Sequence, residues 1–236
     1  MGIPQRRARE KARRRQQIMI AARRVLIEKG YRNATMDNVA REAELSAGTL
    51  YLYFKSKEDL YAALSVRILQ YILIRMEHIT KKENGSSEER LESLKNALLD
   101  AYDFDPLILI NMFKLQSSET LHHISLELLT EITDLARKIL GKMVEVLKRS
   151  LNKGALTDRH PIVLADILWG IFSGVILREE FKKAVNGSED FVRVNFELAF
   201  EIFIRGLHIP KIDAFEDKHI PAMVTLNMAA NCMDLN

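Results

Sequence analysis

Hydrophobic residues recur along this chain at helical spacing, and no stretch shows sustained period-two alternation with β-branched residues, so the pattern predicts an all-α protein. Ile18, Ala21, Ala22, Val25 and Leu26 share one face of a first helix that Gly30 is expected to stop. Thr35 is placed to cap a short helix with Met36, Val39, Ala40 and Ala43 inward. Glu44-Leu45-Ser46 reads as a turn, and Ser46 caps a second short helix with Ala47, Leu50 and Phe54 inward. Leu45 and Leu50 flank that cap at the spacing of a hydrophobic staple. Ser56 with Asp59 resembles a capping box opening a long helix to about Thr80.

Residues 81–87 read as a linker, and Ser86 with Glu89 as a second capping box, starting a helix to about Asp103. Pro106 suits the first turn of the next helix, expected over 107–117. A longer helix is expected over 119–151, then two more over 161–185 and 188–208, separated by Asn186-Gly187. Residues after Pro210 have weak periodicity and no assignment. The expected domains are a basic arm with a helix-turn-helix (1–56), a helical body (57–210) and a tail (211–236).

Charge changes the picture at one end. Residues 1–57 carry 14 Lys/Arg against 5 Asp/Glu, while the rest carries 21 against 27. A basic end points to nucleic acid or an anionic membrane surface. Residues 1–16 alone hold seven basic residues and one acid, reading as a mobile or partly helical arm. The single cysteine, Cys232, excludes an intramolecular disulfide framework and suits a reducing cytosol. No secretory signal is visible, and the uncharged apolar run 167–177 is too short to span a bilayer, so a soluble, cytoplasmic protein is expected.

Two short helices joined by a three-residue turn beside a basic arm match the physical pattern of a helix-turn-helix, whose second helix enters the major groove. Gly48, Thr49, Tyr51, Leu52 and Tyr53 are left outward on that helix. A groove floor would cover them; a helical hairpin with its tyrosines packed on the body is the alternative. Thr49 suits a base edge, Leu52 a thymine methyl, and Gly48 a close backbone approach.

Residues 21–60 resemble the N-terminal domain of the TetR family of transcriptional regulators. The resemblance is carried by Ala22, Gly30-Tyr31, Ala34-Thr35-Met36, Val39-Ala40, Ala43, Leu45-Ser46, Gly48, Leu50-Tyr51, Tyr53-Phe54, Ser56-Lys57-Glu58 and Leu60. It implies base or groove contacts from Ala47, Gly48, Thr49, Tyr51 and Leu52, and phosphate contacts from Thr35, Tyr53 and Lys57. Two positions depart from the family pattern. Ile27 replaces a usual aromatic, and Glu44 replaces a common glycine, where a left-handed backbone would cost about 1–2 kcal/mol. The resemblance also implies a larger C-terminal helical domain for ligand binding and dimerisation, and a repressor released from a palindromic operator by a small molecule.

The two last helices are apolar on more than one face and need burial nearly all round. By the resemblance they occupy the place of a four-helix homodimer interface, with candidates Ile167, Trp169, Gly170, Ile171, Gly174, Val175, Phe196, Phe200 and Phe203. Gly170 and Gly174 would allow close helix approach, or are simply tolerated. Candidates for lining a pocket for a largely apolar effector are Tyr71, Met76, Tyr102, Phe104, Met112, Phe113, Gln116, His122, His123, Met143, Trp169 and Phe172; ordinary core packing is the alternative for each. Glu119, His123 and Glu127 share a helical face, but a solvated face explains them better than a metal site. No phosphate loop, Cys/His metal spacing or nucleophile motif is present, so neither an enzyme nor a cofactor is expected.

Overall fold

A computed structural model of the chain describes residues 3–82, 85–115, 121–151, 160–187 and 189–207. Among them every regular element is a helix. The helices are α1 (Ile3–Asn33), α2 (Met36–Glu42), α3 (Ala47–Tyr51), α4 (Lys57–Lys81), α5 (Ser87–Phe104), α6 (Pro106–Lys114), α7 (Leu126–Ser150), α8 (Pro161–Asn186) and α9 (Val192–Leu207). The expected tail with Cys232, the 152–154 helix stop and the residues Gln116 and Glu119 lie outside the described residues. The chain divides into two compact units. One comprises Met1–Arg67 with Leu107–Leu129, and the other Ile68–Pro106 with Thr130–Asn236.

In the first unit, α1, α2 and α3 pack around Ile18, Ala22, Leu26, Val39, Leu50, Phe54 and Leu60, all buried. All but Leu60, which only the family resemblance singled out, are positions whose spacing predicted inward faces. Residues 3–17, expected as a mobile or partly helical arm, continue α1 as helix. Gly30 (φ 69, ψ 164) breaks α1 where glycine was expected to stop it. The break lets Tyr31 turn back: its ring meets Tyr61 edge-on at 5.3 Å, and its hydroxyl donates to Glu58 at 3.2 Å. Burial, then the neighbouring Glu58 carboxylate, pushes the Tyr31 hydroxyl well above the usual phenol range.

The capping box expected at Ser56 is only half made. Ser56 Oγ accepts from the Asp59 amide at 2.9 Å, but the Asp59 carboxylate accepts from the Lys55 and Ser125 amides instead of closing on Ser56. Ser56 Oγ also donates to the His123 carbonyl at 2.8 Å. Residues 122–125 are thereby held out of helical form, so α7 begins at Leu126 and not at 119 as the apolar spacing suggested. Similarly α6 ends at Lys114, short of 117.

In the second unit the box at Ser86 is complete: Ser86 accepts from the Glu89 amide and Glu89 from the Ser86 amide. Arg149 donates to the Thr80 carbonyl at 2.7 Å, tying α7 to the end of α4. The core of α8 and α9 is aromatic, with Phe172 and Phe196 edge-on at 5.0 Å. Gly187 closes α8 in the left-handed conformation (φ 61), as a C-terminal glycine should. α9 starts at Val192, later than 188, and the Asp190 carboxylate just ahead of it accepts from the Val192 amide, the first of its orphan donors. By length and composition α8 is apolar enough to cross a bilayer, although the run read from the sequence was too short. It nevertheless buries Glu179, which accepts from Asn195 at 2.7 Å and pairs with Lys182, a polar arrangement made for packing on α9.

Candidate nucleic-acid interface and effector cleft

Thr35 and Ser46 are N-caps whose hydroxyls accept from the Asn38 and Thr49 amides at 3.2 and 3.1 Å. Each cap satisfies one of the four orphan amides at a helix start, worth about 1 kcal/mol. Between them the chain turns through Glu44, whose φ of 55 is the one positive value of a non-glycine residue among those described. The left-handed backbone at which a non-glycine residue is costly is thus present at this position. Glu42 pairs with Arg24, which fastens α2 to α1.

Burying Leu50 and Phe54 on one side of α3 leaves the other side to solvent. Tyr51 is 50% exposed and Leu52 80%, with Gly48 exposed and Ala47, Thr49 and Tyr53 half-buried. The Thr49 hydroxyl lies 2.8 Å from that of Ser46, which holds it at the helix start. A side chain at Gly48 would meet nothing within 4 Å, and its φ is not left-handed. Nothing inside the protein therefore requires glycine at this place.

Lys57 is committed within the protein. Its Nζ donates to the Tyr31 carbonyl at 2.7 Å and sits 4.3 Å from the Tyr31 ring centroid. Thr35 remains exposed. Arg15, near the foot of the α1 extension, lies 5.0 Å over the Phe54 ring, directly after α3.

The expected effector candidates are dispersed. Met112 and Phe113 are buried in the first unit, where His122 and His123 are exposed. In the second unit Met76, Tyr102, Met143 and Phe172 are buried, Trp169 lies 5.9 Å from Phe172, and Tyr71 stacks on Phe104 at 4.5 Å. The Tyr102 hydroxyl donates to Asp190 at 2.6 Å, and burial followed by that carboxylate raises its pKa beyond the phenol range.

The second unit also holds a cleft of about 260 Å³ between the end of α4 and the start of α5. Arg75, His78, Ile79, Lys82, Glu89 and Arg90 line it, none of which was foreseen. Arg75 pairs with Asp100, and Arg90 donates to the Gly85 and Arg149 carbonyls. The Nε of each arginine is buried without a hydrogen-bond partner. The i, i+3, i+7 spacing of Arg75, His78 and Lys82 is the signal that was available in the sequence; the facing α5 residues were not.

Of the expected interface residues, Phe196 and Phe200 are buried within the protomer itself. Ile167, Gly170 and Gly174 are exposed, and Trp169, Ile171, Val175 and Phe203 are half-buried. The outward apolar side chains of α9 are Val194, Leu198 and Ile202.

Residues 18–64 match the family model for bacterial regulatory proteins of the tetR family. The fatty acid metabolism regulator protein of Bacillus subtilis (strain 168) is 29% identical over 151 residues, covering 63% of this chain and 74% of that protein. The HTH-type transcriptional repressor DhaR of Mycobacterium sp. (strain GP1) is 24% identical over 78% of this chain and 90% of its own length. Among solved structures, the fatty acid degradation regulator FadR from Bacillus halodurans superposes with a TM-score of 0.63 at 21% identity, covering 83% of this chain and 96% of that one. FadR from Bacillus subtilis in complex with stearoyl-CoA gives 0.61 at 22% identity, over 82% and 99%.

Proposed function

We propose that this chain, whose residues 18–64 match the tetR-family model, is a regulator of that DNA-binding family and not an enzyme, a cytoplasmic repressor that binds a palindromic operator as a homodimer and leaves it on binding a fatty acyl-CoA thioester. One observation carries the DNA-binding half of this reading. α3 is capped, anchored by Leu50 and Phe54, and turns outward a face of Gly48, Tyr51 and Leu52 that the protein leaves uncovered. Thr49 at its start is placed for base edges, while Thr35 and Tyr53 suit phosphate. Lys57 reaches phosphate only by sharing its charge with Tyr31.

Dimerisation is supported by the outer faces of α8 and α9. Leu198 is 56% and Ile202 62% exposed, and Phe181, Val185 and Val194 are comparably open. A second copy covering this stripe would remove it from water and present two recognition helices to half-sites about one helical turn apart. The same burial accounts for α8 without a membrane.

The relatives named for fatty acid regulation, one of them solved with stearoyl-CoA, suggest the effector class. An acyl-CoA combines an apolar chain with phosphates. The cationic cleft of Arg75, Lys82 and Arg90 suits the phosphates, with Glu89 and the Asp100 paired to Arg75 opposing them in part. Release requires the effector to favour one of two states by about 1–3 kcal/mol, a 5- to 150-fold change in DNA affinity. The bonds from Ser56 and Asp59 to residues 123 and 125 give the DNA-binding helices a grip on the segment before α7, through which such a change would be felt.

The test is selection of bound sequences from random duplexes at a stated salt, followed by release with long-chain acyl-CoA, free fatty acid or CoA alone. A palindromic motif with release by the thioester alone supports the proposal. Binding without a motif overturns the repressor reading, and indifference to all three compounds overturns the effector class.

A further inference from the structure

The α1 helix does not begin where its packing begins. Ile18 is its first buried residue, yet helix extends back to Ile3, about 22 Å further at 1.5 Å per residue. From residue 5 to residue 17 every side chain is exposed except Arg14, which is half-buried. Arg6, Arg7, Arg9, Lys11, Arg13, Arg14 and Arg15 stand on this stretch against a single acid, Glu10.

That charge is placed against the ordinary rules of helix stability. The N-terminal end of a helix carries partial positive charge and is stabilised by acids, yet the first turn of α1 has none. Basic residues four apart on one face repel each other, as Arg7 with Lys11 and Arg9 with Arg13 do. A free helix of this length is marginal even without such repulsion. A run of exposed like charge that breaks both local rules points to a partner outside the protein. A polyanion is the partner whose charge reverses both penalties.

The root of the extension says which polyanion. Arg15 lies over the ring of Phe54, three residues past the end of α3, so the basic rod leaves the first unit beside the recognition helix. Because it is helical, it is too thick to lie in the roughly 6 Å wide minor groove as an extended arm would. We infer that this helical extension binds the phosphate backbone of DNA outside the half-site read by α3, lengthening each protomer's footprint by about 6 base pairs at 3.4 Å per step. The inference rests on the operator binding proposed above and adds a second, sequence-independent contact to it.

The experiment measures affinity for the selected operator in duplexes that end two, four, six or eight base pairs beyond each half-site, at several salt concentrations. The wild-type chain is expected to gain affinity up to about six flanking pairs. The R6Q/R7Q/R13Q variant is expected to bind all four duplexes alike, with the same preferred motif. The slope of log affinity against log salt should be smaller by about 0.9 for each phosphate contact removed. An R6E/R7E variant separates folding from binding: acids in the early turns should raise helix content while lowering affinity. Wild-type affinity independent of flank length, or an unchanged salt slope in the glutamine variant, overturns the inference. Failure to select any motif instead overturns the operator reading on which it stands.

Discussion

Replacing Glu44 by glycine should stabilise the protein, and the size of the gain can be set from its backbone. At φ 55 an L-residue pays about 1–2 kcal/mol that glycine does not. Glycine gives back about 0.5–1 kcal/mol by loosening the unfolded chain. The net gain is about 0.5–1 kcal/mol. If the first unit, about 90 residues, melts by itself, Tm rises by roughly 2–8 °C; if the chain melts as one, by about half that. Circular dichroism melts of three variants separate backbone from charge. Glu44→Gly relieves the left-handed strain, Glu44→Asn relieves part of it because asparagine tolerates that region, and Glu44→Gln removes only the carboxylate. The expected order of Tm is Gly, then Asn, then Gln equal to wild type. Stabilisation by glutamine as large as that by glycine would falsify the strain argument, leaving electrostatics as the cause. DNA titration of the same proteins reads the other property: the exposed Glu44 carboxylate stands before α3, so all three neutral variants should bind phosphate-rich DNA more tightly and to the same degree.

Gly48→Ala should raise stability by about 0.5–1 kcal/mol, because the added methyl meets nothing within 4 Å, and should weaken operator binding roughly tenfold or more; unchanged affinity would show that DNA does not approach this backbone. Leu198→Glu with Ile202→Lys should give a folded monomer by sedimentation, since both side chains are open in the protomer, and a persistent dimer would place the interface elsewhere. Burial alone would raise the pKa of Asp190, but hydrogen bonds from Lys183, Tyr102 and the Val192 amide outweigh it and hold the carboxyl below its ordinary value. Its contribution is therefore present above the unfolded value near 3.9 and is lost as pH falls through the folded one. Asp190→Asn should lower Tm at neutral pH by no more than about 4 °C, a difference that closes below about pH 4, as melts across that range would reveal.

What the sequence discloses here is what neighbouring residues decide among themselves. Thr35, Ser46 and Ser86 cap helices as expected, because a cap needs only an oxygen and an amide three residues on. The left-handed turn at Glu44 is equally local. Contacts between distant segments are another matter. Residues 122–125 carry a spacing that suits helix, and the Ser56 hydroxyl and Asp59 carboxylate, 67 and 66 positions before their partners, explain why they leave it. On α9 apolar residues occupy more than one face, so periodicity does not divide Phe196 and Phe200, which fill the protomer's core, from Leu198 and Ile202, which face out. The cleft joins two helices that each look like ordinary charged surface. It became visible only when Arg75 and Arg90 were brought to one place.

The hold of Ser56 and Asp59 on the loop before α7 is made to main-chain groups, the carbonyl of His123 and the amide of Ser125. Every residue type carries that carbonyl, and every one but proline carries that amide. The joint therefore constrains the path of the loop and leaves its side chains almost unrestricted. Loops of dissimilar sequence can be grafted behind the same two residues of the first unit, provided they pass the same two points and keep proline out of position 125. In such a graft the path is inherited from shape, while the side chains along it are free to be exchanged.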